Sequence, residues 1–218
     1  MINSTIDHIV IVSPTLEAGA HWVQEALGVL PQPGGVHERM GTHNLLLRLG
    51  DTCYLEVIAP KLNAAKPSRP RWFMLDETAT LTAPRLATWV LRVNDIHAAG
   101  ERCGPSVGTV EPMARGQLSW QITIPHDGSL PMDGAMPTLI QWADGCDPTH
   151  TLATSGCTLT QLEVLHPDAG RIEQALSDIG FAGNVRFERP PEGSGSSLRA
   201  HIMTPAGPRV IPPIRIPG

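Results

Sequence analysis

No run of apolar residues in the 218-residue chain approaches the roughly 18 that a membrane-spanning helix needs. Basic residues are also few. Sixteen Lys and Arg against a net charge of −5, with no basic cluster, argue against a nucleic-acid partner, and the mild acidic balance reports solubility. The four cysteines, Cys53, Cys103, Cys146 and Cys157, are widely spaced and form no CxxC. That excludes a zinc site built from cysteines and a disulfide framework, and it points to reduced thiols in a cytoplasm. The chain has no G-x-S-x-G elbow, no P-loop and no G-x-G-x-x-G, so neither a hydrolase nucleophile nor a nucleotide cofactor is indicated. Strand-like sequence begins at about Ile6, which leaves no space for a secretory leader before it.

What is present suits a soluble globular protein with a sizeable core: 41% hydrophobic residues and a mean hydropathy near zero. Strand 6–12 is followed by Ser13-Pro14-Thr15, a helix-start signal. Leu16, Ala20, Val23 and Leu27 then recur at helical spacing, and Gly28 is placed to end the helix. Residues 36–40, 43–49 and 52–59 read as strands, giving a βαβββ unit over about 5–60. Residues 61–84 read as a connector with one short helix around Trp72-Phe73-Met74-Leu75. The same order then returns over about 86–143: strand 88–93, a helix from Asp95 to about Cys103, and strands 107–113, 117–124 and 138–142. On paper His8-Ile9-Val10-Ile11-Val12 sets against Trp89-Val90-Leu91-Arg92-Val93, and Tyr54-Leu55-Glu56-Val57 against Leu139-Ile140-Gln141-Trp142. An internal repeat of this length is a fold signal in itself. Residues 1–145 are thus read as one domain of two units. Residues 146–218 form a third, partial βαβββ-like extension, with a helix over 168–179 and a proline-rich tail unfit for a central strand.

Two strands of the first unit carry an ionisable side chain amid apolar neighbours. Strand side chains alternate, so His8 lies with Val10 and Val12, and Glu56 lies with Tyr54 and Ile58. Burying a lone charge is costly, so each needs a partner, a ligand or a metal. Trp120, Trp89 and Tyr54, with Met113, are read as an aromatic pocket lining. Arg115, beside Gly116 at a strand turn, is the candidate carboxylate clamp. By parity Trp142 lies opposite Gln141; with Gln141 facing the pocket, Trp142 packs under a helix. Asn44 reads as a turn residue, His43 as a secondary candidate ligand, and Arg48 and Arg92 as charges reaching water by their tips.

The stretches Asp7-His8-Ile9-Val10, Gly41-Thr42-His43-Asn44, Tyr54-Leu55-Glu56-Val57-Ile58-Ala59-Pro60, Ser119-Trp120-Gln121 and Pro137-Thr138-Leu139-Ile140-Gln141-Trp142 resemble the vicinal oxygen chelate superfamily. This is the glyoxalase, bleomycin-resistance and extradiol-dioxygenase fold, and within it the likeness is to glyoxalase-like domains, over about residues 5–144. The resemblance implies an α+β fold in which tandem βαβββ units form a cupped, barrel-like mixed sheet with helices outside. It also implies one divalent metal (Zn, Mn, Ni or Fe) held from the first and last strands of each unit. Carried over by position these sites are His8, Glu56, Trp89 and Gln141. Trp89 offers no donor, which leaves His8, Glu56 and Gln141. Two functions follow as expectations: a metal-dependent lyase, isomerase or dioxygenase using Glu56 and His8 on a small oxygenated molecule, or a metal-free protein that sequesters such a molecule. The third unit serves to pad the sheet or to form a homodimer.

Overall fold

The computed structural model describes residues 1–77 and 82–212. Helix α1 (Leu16–Leu27) begins where the Thr15 side chain accepts the Ala18 N–H, and it ends at Gly28, whose φ of 74° is the left-handed conformation that favours glycine. Around it lie β1 (Ser4–Val12), β2 (Gln32–His37), β3 (Thr42–Arg48) and β4 (Tyr54–Pro60). The second unit repeats the order with β5 (Arg85–Val93), α2 (Ile96–Cys103), β6 (Thr109–Arg115), β7 (Leu118–Ile124) and β8 (Thr138–Trp142). The short helix expected in the connector is a single turn at Trp72–Met74.

One expected strand is displaced. Residues 38–40 form a helical turn, and the strand sits earlier, at Gln32–His37. The sequence Gln32-Pro33-Gly34-Gly35 reads as a turn, yet β2 is an edge strand, where proline costs no ladder bond, and its register jumps between Pro33 and Val36.

The eight strands make one curled α+β sheet in the order β2-β3-β4-β1-β5-β8-β7-β6. Within each unit the first and last strands pair in parallel, and β1 and β5 join the units antiparallel. The edge strands β2 and β6 approach each other, with Arg39 reaching Glu111 and the Pro112 carbonyl, so the sheet closes into a half-barrel. Its concave side holds Val10, Val12, Ile58, Val90, Trp120, Ile122 and Ile140, covered by Trp72 and Phe73 of the connector.

The convex side packs Ile9, Ile11, Leu55, Val57, Trp89 and Leu91 in one core with α1, α2 and a second layer. That layer is β9 (Thr158–Leu165), α3 (Ala169–Asp178), β10 (Val185–Glu188), β11 (Ser197–Thr204) and β12 (Gly207–Ile211). Its element order is again βαβββ, but its sheet runs β10-β9-β11-β12, so the pairing differs from that of the first two units. Ile211 ends β12; residues 213–218 of the proline-rich tail lie outside the described residues. Among the described residues no helix is long and apolar enough to cross a membrane, and the four thiols are unpaired.

Candidate functional site

His8 and Glu56 reach the concave side together. Their strands are parallel neighbours with Val10 opposite Glu56, and His8 Nε2 lies 3.6 Å from Glu56 Oε2. This is too long for a direct hydrogen bond, so both groups keep an inward-facing valence for a third partner. Each is fixed from behind. The Asn44 amide donates to Glu56 Oε1 at 2.5 Å, while its own carbonyl oxygen accepts the Gly35 N–H at 2.8 Å. Gly34 leaves room for this: a Cβ there would stand 2.2 Å from Asn44 Oδ1.

His8 is fixed by Asp7, its neighbour in sequence. Consecutive strand residues ordinarily point to opposite faces, but the β1–β5 register skips Asp7 between Ile6 and His8. The bulge re-aims the chain so that both residues serve one cluster. Asp7 is fully buried and accepts from His8 Nδ1 at 2.6 Å, Arg92 Nε at 2.7 Å and the Trp142 indole N–H at 2.9 Å. Burial alone would raise the Asp7 carboxyl. The hydrogen bond and charge of His8, the charge of Arg92 and the Trp142 donor outweigh it and hold the group below the ordinary carboxylate value. An ionised Asp7 can only accept, so His8 Nδ1 carries a proton and Nε2 is the atom presented to the site. Arg92 is further paired with Asp147 and stays partly open to solvent, so it reaches water as expected while also serving as the counter-ion of Asp7.

Aromatic rings enclose the cluster. Tyr54 stacks on His8, with ring centroids 4.5 Å apart, and Trp120 and Trp142 lie against each other at 5.1 Å. Burial, followed by the negative charges of Asp7 and Glu56, raises the Tyr54 hydroxyl well above its ordinary value, so it remains a donor. His37 contacts Trp72 and Trp120 edge-on, and Arg115 Nη1 lies 3.4 Å from its Nε2. Burial, then the Arg115 charge, pushes His37 down to about 3, so it stays neutral. The cavity left among His8, Glu56, Tyr54, Trp72, Arg115 and Trp142 is about 30 Å³.

Two expected site residues lie on the other side of the sheet. Trp89 is fully buried on the convex face, donates to the Ala135 carbonyl and packs on Phe181, so it is a core residue and not pocket lining. Gln141 accepts the Ile96 N–H at the start of α2, so it is a helix cap and not a metal ligand. Correspondingly Trp142 faces the concave side and does not pack under a helix. The ladder shows why. His8 pairs with Tyr54 two residues before Glu56, and Val90 pairs with Thr138 two residues before Ile140. The true equivalents are Val90 and Ile140. Each paper alignment slipped by one residue, and a one-residue slip reverses the face. His43 likewise alternates with Asn44 and lies on the convex side, near Glu17 of α1.

The donor set does not fit a resident divalent metal. Among the described residues no three His, Cys, Asp or Glu side chains are placed to hold one metal ion, and the second-unit positions are Val90 and Ile140. His8 and Glu56 alone fall below the three protein ligands of ordinary catalytic centres. Of the groups that build the cluster, Asp7, Asn44, His37, Trp72 and Trp142 were not read from the sequence as site residues. The Gly34-Gly35 pair and the acidic neighbour of His8 were the available signals.

A family model described as a glyoxalase-like domain matches residues 6–180. No curated protein matches the chain. Among solved structures, a hypothetical protein from Staphylococcus aureus superposes with a TM-score of 0.59 at 14% identity, covering 90% of this chain and 88% of its own. A methylmalonyl-CoA epimerase from Mycobacterium tuberculosis reaches 0.41 at 16% identity, covering 63% of this chain and 85% of its own. Likeness at these identities concerns the fold alone.

Proposed function

The chain belongs to the glyoxalase-like domain family of the vicinal oxygen chelate superfamily, and from that premise we propose that it catalyses proton transfer at a carbon beside a carbonyl in a small oxygenated molecule. The observation that carries this reading is the 3.6 Å gap between His8 Nε2 and Glu56 Oε2, each held from behind and enclosed by aromatic rings. Glu56 takes the proton from carbon and the electron pair moves onto the carbonyl oxygen. Protonated His8, oriented by Asp7, supplies Nε2–H to that oxygen. Return of the proton from Glu56 to carbon restores the carbonyl. No step is routed through a metal, because the donor set offers two protein ligands.

The test is hydrogen–deuterium exchange in D₂O, followed by NMR over a panel of small ketones, aldehydes and oxo acids. At least one compound is expected to exchange in a reaction that Glu56→Gln or His8→Ala slows at least about a hundredfold, the low end of general acid–base catalysis. Equal rates in wild type and both variants across the panel would sink the proposal. Compounds that bind without exchanging would support the sequestering reading. A stoichiometric divalent ion, retained by wild type and lost in both variants, would restore the metal-assisted one.

A further inference from the structure

Arg115 is placed unusually among the arginines of the cup. Arg39, Arg69 and Arg92 are each paired with a carboxylate. Arg115 has no carboxylate partner among the described residues, and its polar contact is the neutral His37 ring. A buried donor beside the same cavity is unfilled: the Trp72 indole N–H has no acceptor. A buried donor without an acceptor is costly, and one lining a cavity invites a ligand oxygen, while the half-buried Arg115 beside it supplies an unpaired charge.

Arg115 is also where two spaces meet. Inward lies the 30 Å³ cavity with His8 and Glu56. Outward lies a groove of about 480 Å³ between β2 and the segment after β8, lined by Pro33, Val36, Leu46, Leu118 and Leu152 among others. Among the described residues Arg115 alone lines both. Gly35 lets it lie there, since a Cβ at that position would stand 2.7 Å from Arg115 Cδ. The inner cavity has room for a methyl- or carbonyl-sized group, whereas the groove falls in the size range of small-molecule sites.

We infer that the ligand is a carboxylate with an apolar substituent: its anion on Arg115, its neighbouring carbonyl oxygen turned into the inner cavity, and its chain in the outer groove. The arrangement is tripartite, and guanidinium is the side chain that matches a carboxylate's paired oxygens. Only the placing of the reacting end rests on the function proposed above. The anion and chain subsites stand on Arg115 and the groove.

Tryptophan fluorescence titration tests this, with Trp72, Trp120 and Trp142 as reporters. The probes are 2-oxohexanoate, its neutral amide 2-oxohexanamide, and pyruvate, which keeps the charge but lacks the chain. Wild type should bind 2-oxohexanoate at least about tenfold tighter than either comparison probe, the effect of one charge-assisted contact or of a few buried methylenes. Arg115→Gln should lower the acid to the affinity of the amide, and Arg115→Lys should keep part of the preference. Leu118→Trp, which fills the groove, should lower 2-oxohexanoate to the affinity of pyruvate and leave pyruvate unchanged. Equal binding of acid and amide by wild type would overturn the inference, as would a full acid preference in Arg115→Gln or no fluorescence response at millimolar acid. If Arg115→Gln does not fold, the acid–amide ratio of wild type and the Leu118→Trp result decide. Glu56→Gln should still bind the acid. A protein that binds it with these preferences but never exchanges its protons would defeat the proposed function and leave this inference standing.

Discussion

Replacing Asp7 by Asn keeps the shape of the residue on which the cluster is built and removes its charge. One oxygen of Asp7 faces Arg92 and the Trp142 indole, and the other faces His8 Nδ1. The amide can keep its oxygen toward Arg92 and Trp142 only by turning its NH₂ to His8. Nδ1–H then faces N–H hydrogens where it had an acceptor, so His8 can keep the contact only by giving up that proton and becoming a neutral ring protonated at Nε2. Two bonds lose their ionic component. Bonds involving charged groups contribute roughly 1.5–3 kcal/mol against about 1 for neutral ones, so the loss lies near 0.5–2 kcal/mol each. Arg92 retains Asp147 and is partly open to solvent, which moderates its share. The expected cost is about 2 kcal/mol at pH 7, read by urea unfolding with an unchanged denaturant slope. Its pH dependence has a definite sign. The folded value of Asp7 is depressed, so its contribution is fully present above the unfolded carboxylate range and is lost as pH falls through the folded value. The gap between wild type and Asp7→Asn should therefore shrink on acidification below about pH 4. A variant within about 0.5 kcal/mol of wild type at pH 7, or a gap that widens in acid, would refute the reasoning.

Asn44→Ala leaves Glu56 Oε1 and the Gly35 N–H without their partner; a loss of about 1–3 kcal/mol is expected in chemical unfolding, with slower exchange at the Glu56-dependent carbon. Trp89→Phe should cost about 1–3 kcal/mol in the same assay and leave probe affinity unaltered, because Trp89 belongs to the convex core; a changed affinity would place it back in the pocket. His37 has its folded value depressed to about 3, so it stabilises the fold above pH 6.5 and that stabilisation is lost as pH falls toward 3. Wild-type stability should therefore decline by up to about 1.4 kcal/mol per pH unit across that window on account of this group, and His37→Asn should show a shallower profile.

Much of this architecture was legible before any coordinates. The Thr15 and Gly28 caps, the apolar strands and the repeated βαβββ order are local signals, and the elements that they announce are present, with one strand displaced to Gln32–His37. His8 and Glu56 were legible because an ionisable residue within an apolar strand carries its own anomaly. Asp7 was not, because a bulge is a property of the pairing between β1 and β5 and not of β1 alone. Asn44 read as turn chemistry because its partner, Glu56, lies on another strand.

Sequence alone determined the order of elements, the repeat, and the alternation that keeps Trp142 opposite Gln141. It could not determine which of the two faces inward. Period-2 alternation defines two sets of residues in every strand but is indifferent to which set is buried against what. Contacts distant in sequence made that choice: the Ile96 N–H captured Gln141 on the helix side, and Asp7 captured the Trp142 indole on the concave side. Those two hydrogen bonds turn a set of metal-ligand positions read along the chain into an aromatic cup with few ligand groups, and with one acid–histidine–acid cluster at its centre.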